Sequence, residues 1–90
     1  MASKKRIKEK TTHYKHVAFQ KALGDHCRKL RKQKGYSVNR LAGEAERMSP
    51  DVVMRLESGG IVTTTTLYRF AEVLGVSVRA LFDFPFSDES

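Results

Sequence analysis

The chain has 90 residues and a mass of 10.2 kDa, with 40% hydrophobic and 30% charged residues, so it holds one small globular domain and not two independent cores. Seventeen Lys and Arg against ten Asp and Glu give a net charge of +7, a surplus that points to a polyanionic partner, either nucleic acid or an anionic membrane. One cysteine excludes an internal disulfide framework, no apolar run reaches the roughly 18–20 residues of a bilayer span, and the three histidines lack Cys or carboxylate neighbours at metal spacing.

Residues 1–16 carry Lys4, Lys5, Arg6, Lys8, Lys10 and Lys15 against Glu9, a net +5, with little to bury. They read as a flexible basic N-terminal arm that either lies on nucleic-acid phosphates or only solubilises the chain. The arm lacks the apolar face a membrane-surface segment needs. No apolar stretch follows its charges as in a secretory signal, so the cytoplasm is the expected compartment. Residues 17–83 form the domain, and 84–90 a short acidic tail.

Helical periodicity begins near Val17. Phe19, Leu23, Cys27 and Leu30 recur at steps of four, four and three, with Ala22 and His26 beside them and Gly35 as the stop. Lys21, Arg28, Lys29, Lys32 and Lys34 fill the polar side. Cys27 reads as a small core residue and His26 as a boundary residue, since neither has a catalytic partner nearby in the pattern.

Ser37 is the N-cap of a second, short helix over Val38–Glu46, with Val38, Leu41, Ala42 and Ala45 inward; small Ala42 allows a close helix crossing. Ser49 and Pro50 open a third helix, in which Val53 and Leu56 face inward and which Gly59 ends. One residue of Thr63–Thr66 caps a fourth, carrying Leu67, Phe70, Ala71 and Leu74 to the core and stopping at Gly75. Ser77 caps a fifth, with Val78, Leu81 and Phe82 inward, and Pro85 closes the ordered part. No segment alternates with period two over strand length, so the expected class is all-α with five helices.

Taken together, Leu30-Arg31, Gly35-Tyr36-Ser37, Leu41-Ala42, Ser49…Val53…Arg55-Leu56-Glu57-Ser58-Gly59 and Leu67…Phe70-Ala71…Leu74-Gly75-Val76-Ser77…Leu81-Phe82 resemble the Cro/C1-type (Xre-like) helix-turn-helix domain of lambdoid phage repressors, over about residues 19–83. The resemblance implies a five-helix lambda-repressor-like fold that binds double-stranded DNA. It implies a structural ion pair between Arg31 and Glu57, and a recognition helix whose outward residues, Pro50, Asp51, Val52, Met54 and Arg55, face base edges in the major groove. Arg55 is the leading candidate for readout, because its fork matches guanine O6 and N7. Ser37, Asn39, Arg40, Ser49, Ser58, Gly59 and Gly60 are candidate phosphate contacts, and the N-terminal arm adds Lys4, Lys5, Arg6, Lys8 and Lys10. The basic end of the first helix, Arg28 to Lys34, either joins them or stays solvated.

The chain departs from the family in three places. Val38 stands where a Gln usually clamps a phosphate. The turn between the second and third helices reads Glu46-Arg47-Met48, with one residue more and no Gly, so Glu46 or Arg47 must adopt the left-handed conformation or the second helix ends differently. The loop after Gly59 is one residue short and lacks Asn-Pro.

The expected function is a sequence-specific, double-stranded-DNA-binding transcriptional regulator, a repressor acting as a dimer on a palindromic operator and associated with the nucleoid. The alternative is a protein-interaction module such as the antitoxin of a toxin–antitoxin pair. Phe82, Phe84 and Phe86 either form a homodimer patch or cover the core. No carboxylate pair, Gly-rich phosphate loop or nucleophile constellation suggests an enzyme. No cofactor, metal or small-molecule ligand is expected.

Overall fold

A computed structural model describes the backbone of residues 2–86 and the side chains of residues 16–86. Helix α1 runs Ala2–Gln33, α2 Val38–Glu44, α3 Pro50–Glu57 and α4 Thr64–Leu74, followed by a 3₁₀ helix at Val78–Phe82; the described residues contain no strand.

The all-α class is as expected, with two corrections to the elements. The fifth helix is a five-residue 3₁₀ helix, not an α-helix. Ser77 caps it, and the Ala80 N–H bonds the Ser77 carbonyl in an i→i+3 turn; so few residues make little i→i+4 ladder. The first helix begins at Ala2 instead of near Val17. Its first half is rich in Lys and free of Gly and Pro, which suits a helix but leaves no apolar period to detect. The side chains of Lys4, Lys5, Arg6, Lys8 and Lys10 lie outside the described residues, as do residues 87–90 of the expected tail.

Each expected cap is in place. Ser37 Oγ accepts the Arg40 N–H at 3.1 Å, Ser49 Oγ that of Val52 at 3.4 Å, Thr63 Oγ1 that of Thr66 at 3.2 Å and Ser77 Oγ that of Ala80 at 3.2 Å. Four short elements thereby satisfy an N–H that has no intrahelical acceptor.

The core gathers Leu23 and Cys27 from α1, Leu41 and Ala42 from α2, Val53 and Leu56 from α3, Leu67, Phe70, Ala71 and Leu74 from α4, and Leu81. Phe82, expected inward, is 41% exposed. It stacks instead on Phe19 of α1, whose ring also meets Phe84 at 5.8 Å and Phe86 at 5.3 Å. His26 donates from Nε2 to the Ala80 carbonyl at 3.0 Å and lies 5.6 Å from the Phe84 ring. The C-terminal aromatics therefore fold back across α1. No helix among the described residues is long and apolar enough to cross a membrane.

Candidate nucleic-acid interface

Helix α3 is divided lengthwise. Val53, Leu56 and Glu57 are buried, while Pro50, Asp51, Met54 and Arg55 are exposed and Val52 is half-buried. With residues 100° apart around the axis, the buried three share one side and Asp51 and Arg55 lie opposite.

The inner side is fixed by charge as well as packing. Arg31 of α1 donates from Nε to Glu57 Oε2 at 2.6 Å, from Nη2 to Glu57 Oε1 at 2.9 Å, and from Nη1 to the Tyr36 carbonyl at 2.8 Å. Both side chains of the pair are only 8% exposed. Each buried charge is thus matched by a bidentate partner, the condition under which such a pair persists. The Glu57 carboxylate holds the Arg31 guanidinium above its ordinary range, against the opposing effect of burial. The pair joins α1 to the last residue of α3 and so sets the angle at which α3 is presented.

Backbone contact makes the same junction. A Cβ on Gly24 of α1 would come within 2.4 Å of the Leu56 carbonyl oxygen, so only glycine lets the two helices approach this closely. The sequence reading missed Gly24; a glycine inside an otherwise helical pattern is the signal that marks it. At the end of α3 the Gly59 N–H bonds the Leu56 carbonyl and the Gly60 N–H bonds the Arg55 carbonyl. Gly59 has φ +91°, which makes this a Schellman stop. The aliphatic part of Arg55 rests on Gly60, where an added Cβ would meet Cγ at 2.6 Å.

The turn before α3 resolves the question left open by the sequence. Helix α2 ends at Glu44, two residues short of the expected Glu46, and Ala45 is already extended. Arg47 takes the left-handed conformation, with φ 57°. Buried Ala45 and Met48 pin the turn to the core. Arg69 of α4 holds it from outside, donating from Nη1 to the Glu46 carbonyl and to Glu46 Oε1. Arg69 was not legible as a turn support, because nothing in sequence links it to a residue 23 positions earlier.

Ser37, Asn39, Arg40, Ser49 and Ser58 are exposed, and Gly59 and Gly60 are half-buried. Arg40 is already engaged: its guanidinium lies 4.4 Å from the Tyr36 ring centroid and Nε donates to Glu44 Oε2 at 3.1 Å. Cys27 is fully buried, and burial followed by the nearby Glu57 charge pushes its thiol up to about 12, the opposite of what a nucleophile requires.

A helix-turn-helix family model matches residues 28–81, which takes in the capped α2, the turn, α3 with its Glu57 anchor, α4 and most of the 3₁₀ helix. The chain belongs to the helix-turn-helix family. The Cro/C1-type resemblance is thereby established, and with it a DNA-binding domain. The chain is also similar to a solved structure of the clp gene regulator ClgR from C. glutamicum, at 35% identity and a TM-score of 0.64, over 71% of this chain and 82% of that one. No curated protein matches the chain. Within this helix-turn-helix, α2 and α3 are the paired helices and residues 45–49 the turn. Arg47 takes the left-handed conformation that the resemblance assigned to Glu46 or Arg47, and α2 ends at Glu44.

Proposed function

We propose that this DNA-binding transcriptional regulator is a repressor that binds a palindromic duplex operator as a homodimer, with α3 in the major groove. The supporting observation is the outward face of α3, where Pro50, Asp51, Met54 and Arg55 stand exposed on a helix whose other side is held by the core and the Arg31–Glu57 pair. A rigid helix with a free polar face is what base readout needs.

Arg55 reads a guanine, Asp51 accepts from a cytosine N4, and Val52 and Met54 touch thymine methyl groups. Ser37, Asn39, Arg40, Ser49, Ser58, Gly59 and Gly60 bond phosphates around the groove. Arg40 exchanges its Glu44 bond for a phosphate oxygen when DNA arrives. The cations of residues 1–16, Lys4, Lys5, Arg6, Lys8 and Lys10 among them, act as a basic arm that raises affinity and association rate without selecting sequence. The protein acts by binding and not by catalysis, at the nucleoid. One domain makes few base contacts, so two half-sites are needed for specificity. Half-exposed Phe82 and Phe86 beside Phe19 support a dimer contact at that end.

Selection from random duplex DNA at two salt concentrations tests the reading. The expected result is an enriched palindrome. Arg55→Ala then costs about 1–3 kcal/mol on that site and relaxes one position in each half. An unenriched pool, or equal loss on selected and random DNA, refutes the assignment.

A further inference from the structure

Helix α1 brings its own cations to the edge of the recognition helix. A concavity of about 280 Å³ opens between α1, α2 and α3, lined by Arg28, Arg31, Val38, Met54, Glu57 and Ser58. Met54 and Ser58 belong to the exposed side and end of α3. Arg28 therefore stands on the same surface as the groove-facing residues, although it comes from another helix.

The charge of this concavity has one source. Arg31 is neutralised by Glu57 at its base. Arg28 is exposed and makes no ion pair among the described residues, since its neighbour Asp25 pairs with Lys21 at 3.6 Å. Arg28 also lines a second, shallower groove along α1 with Asp25, Lys29, Lys32 and Gln33. Lys32 follows Arg28 by four residues, about 6 Å along the same helix face. Arg28 borders the recognition helix and Lys32 lies one turn further along α1, a spacing that suits neighbouring phosphates of one DNA strand. Val38, half-buried, brings no side-chain hydrogen-bond donor to the concavity, which leaves Arg28 as its free cation among the described residues.

We propose that Arg28 and Lys32 of α1 form a phosphate seat for the DNA strand bordering the groove that α3 occupies. The proposal rests on α3 being the recognition helix. A phosphodiester backbone is the occupant because it supplies regularly spaced anions to a strip whose only unpaired charges, among the described residues, are basic.

The test measures duplex affinity of the full chain from 50 to 200 mM salt, on random and on selected DNA. It compares wild type, the double variant Arg28→Gln, Lys32→Gln, and the equally charge-depleted control Arg79→Glu, which lies outside the basic end of α1. Two lost phosphate contacts reduce the slope of log affinity against log salt by about 1.8. The double variant then loses about 12-fold less affinity than wild type across that range. The loss is the same on both DNAs, the control keeps a slope near wild type, and the melting temperatures stay unchanged because all three residues are exposed. A slope in the double variant equal to the control's overturns the phosphate seat while leaving α3 as the reader. A wild-type chain that binds no duplex overturns both readings. A loss seen only on selected DNA makes these residues base readers and also overturns the seat.

Discussion

Replacing Glu57 with Leu isolates the energetics that hold α3 in place. The substitution leaves the guanidinium of Arg31, whose side chain is buried in the native protein, with Nε and Nη2 stripped of their acceptors and only the Nη1 bond to Tyr36 remaining. Removing one member of a buried ion pair costs about 3–5 kcal/mol, most of it the desolvation of the orphaned charge. In a domain of this length each kcal/mol corresponds to about 4–8 °C, so the melting temperature falls by about 12–40 °C. The companion variant, Arg31→Met with Glu57→Leu, removes both charges and fills the space with apolar atoms. It loses only the Nη1 bond to the half-buried Tyr36 carbonyl, and returns to within about 2 kcal/mol of wild type. Urea unfolding with an unchanged m-value is the assay. A single variant within 1 kcal/mol of wild type, or a double variant no better than the single, would refute the buried, uncompensated charge as the source of the effect.

Gly24→Ala gains helix propensity of about 1 kcal/mol but drives a methyl against the Leu56 carbonyl; the net result is a loss of about 1–3 kcal/mol, and an unchanged or raised melting temperature would contradict the close crossing of α1 and α3. Arg47→Gly relieves the left-handed strain of the turn and raises stability by about 1 kcal/mol in the same unfolding assay; destabilisation would mean that the turn does not strain its arginine. Because Cys27 titrates near 9.0 when unfolded and at about 12 when folded, the native state holds the proton longer. The thiol's contribution to stability therefore falls as pH rises from about 9 towards 12, and Cys27→Ala makes the alkaline loss smaller than in wild type. At neutral pH the thiol reacts with a disulfide reagent only after denaturation, and rapid labelling of the native chain would contradict its burial.

Local chemistry carried most of the fold in readable form. Ser37, Ser49, Thr63 and Ser77 each precede an apolar period and each caps an element. Gly35, Gly59 and Gly75 follow those periods and take positive φ. The readings that failed lie where periodicity has nothing to register. Residues 2–16 have no apolar stripe, so periodicity marks α1 only from Val17 although the helix begins at Ala2. The 3₁₀ helix has too few residues to distinguish two helical periods, and it turned Phe82 outward onto Phe19.

The candidate site divides along the same line. The polar identities along α3 follow from sequence because they are properties of neighbouring residues, whereas a left-handed residue in the α2–α3 turn was implied by the family resemblance, beside the alternative that the second helix ends differently. The choice of Arg47 over Glu46, the hold of Arg69 on Glu46, the passage of Gly24 beneath Leu56 and the position of Arg28 beside Met54 join residues far apart in the chain. Helix order and which side of each helix is buried were determined by hydrophobic spacing. The presented angle of α3, and the cations that share its surface, were decided only by packing three dimensions deep, because close approach and charge pairing depend on distances that no sequence interval encodes.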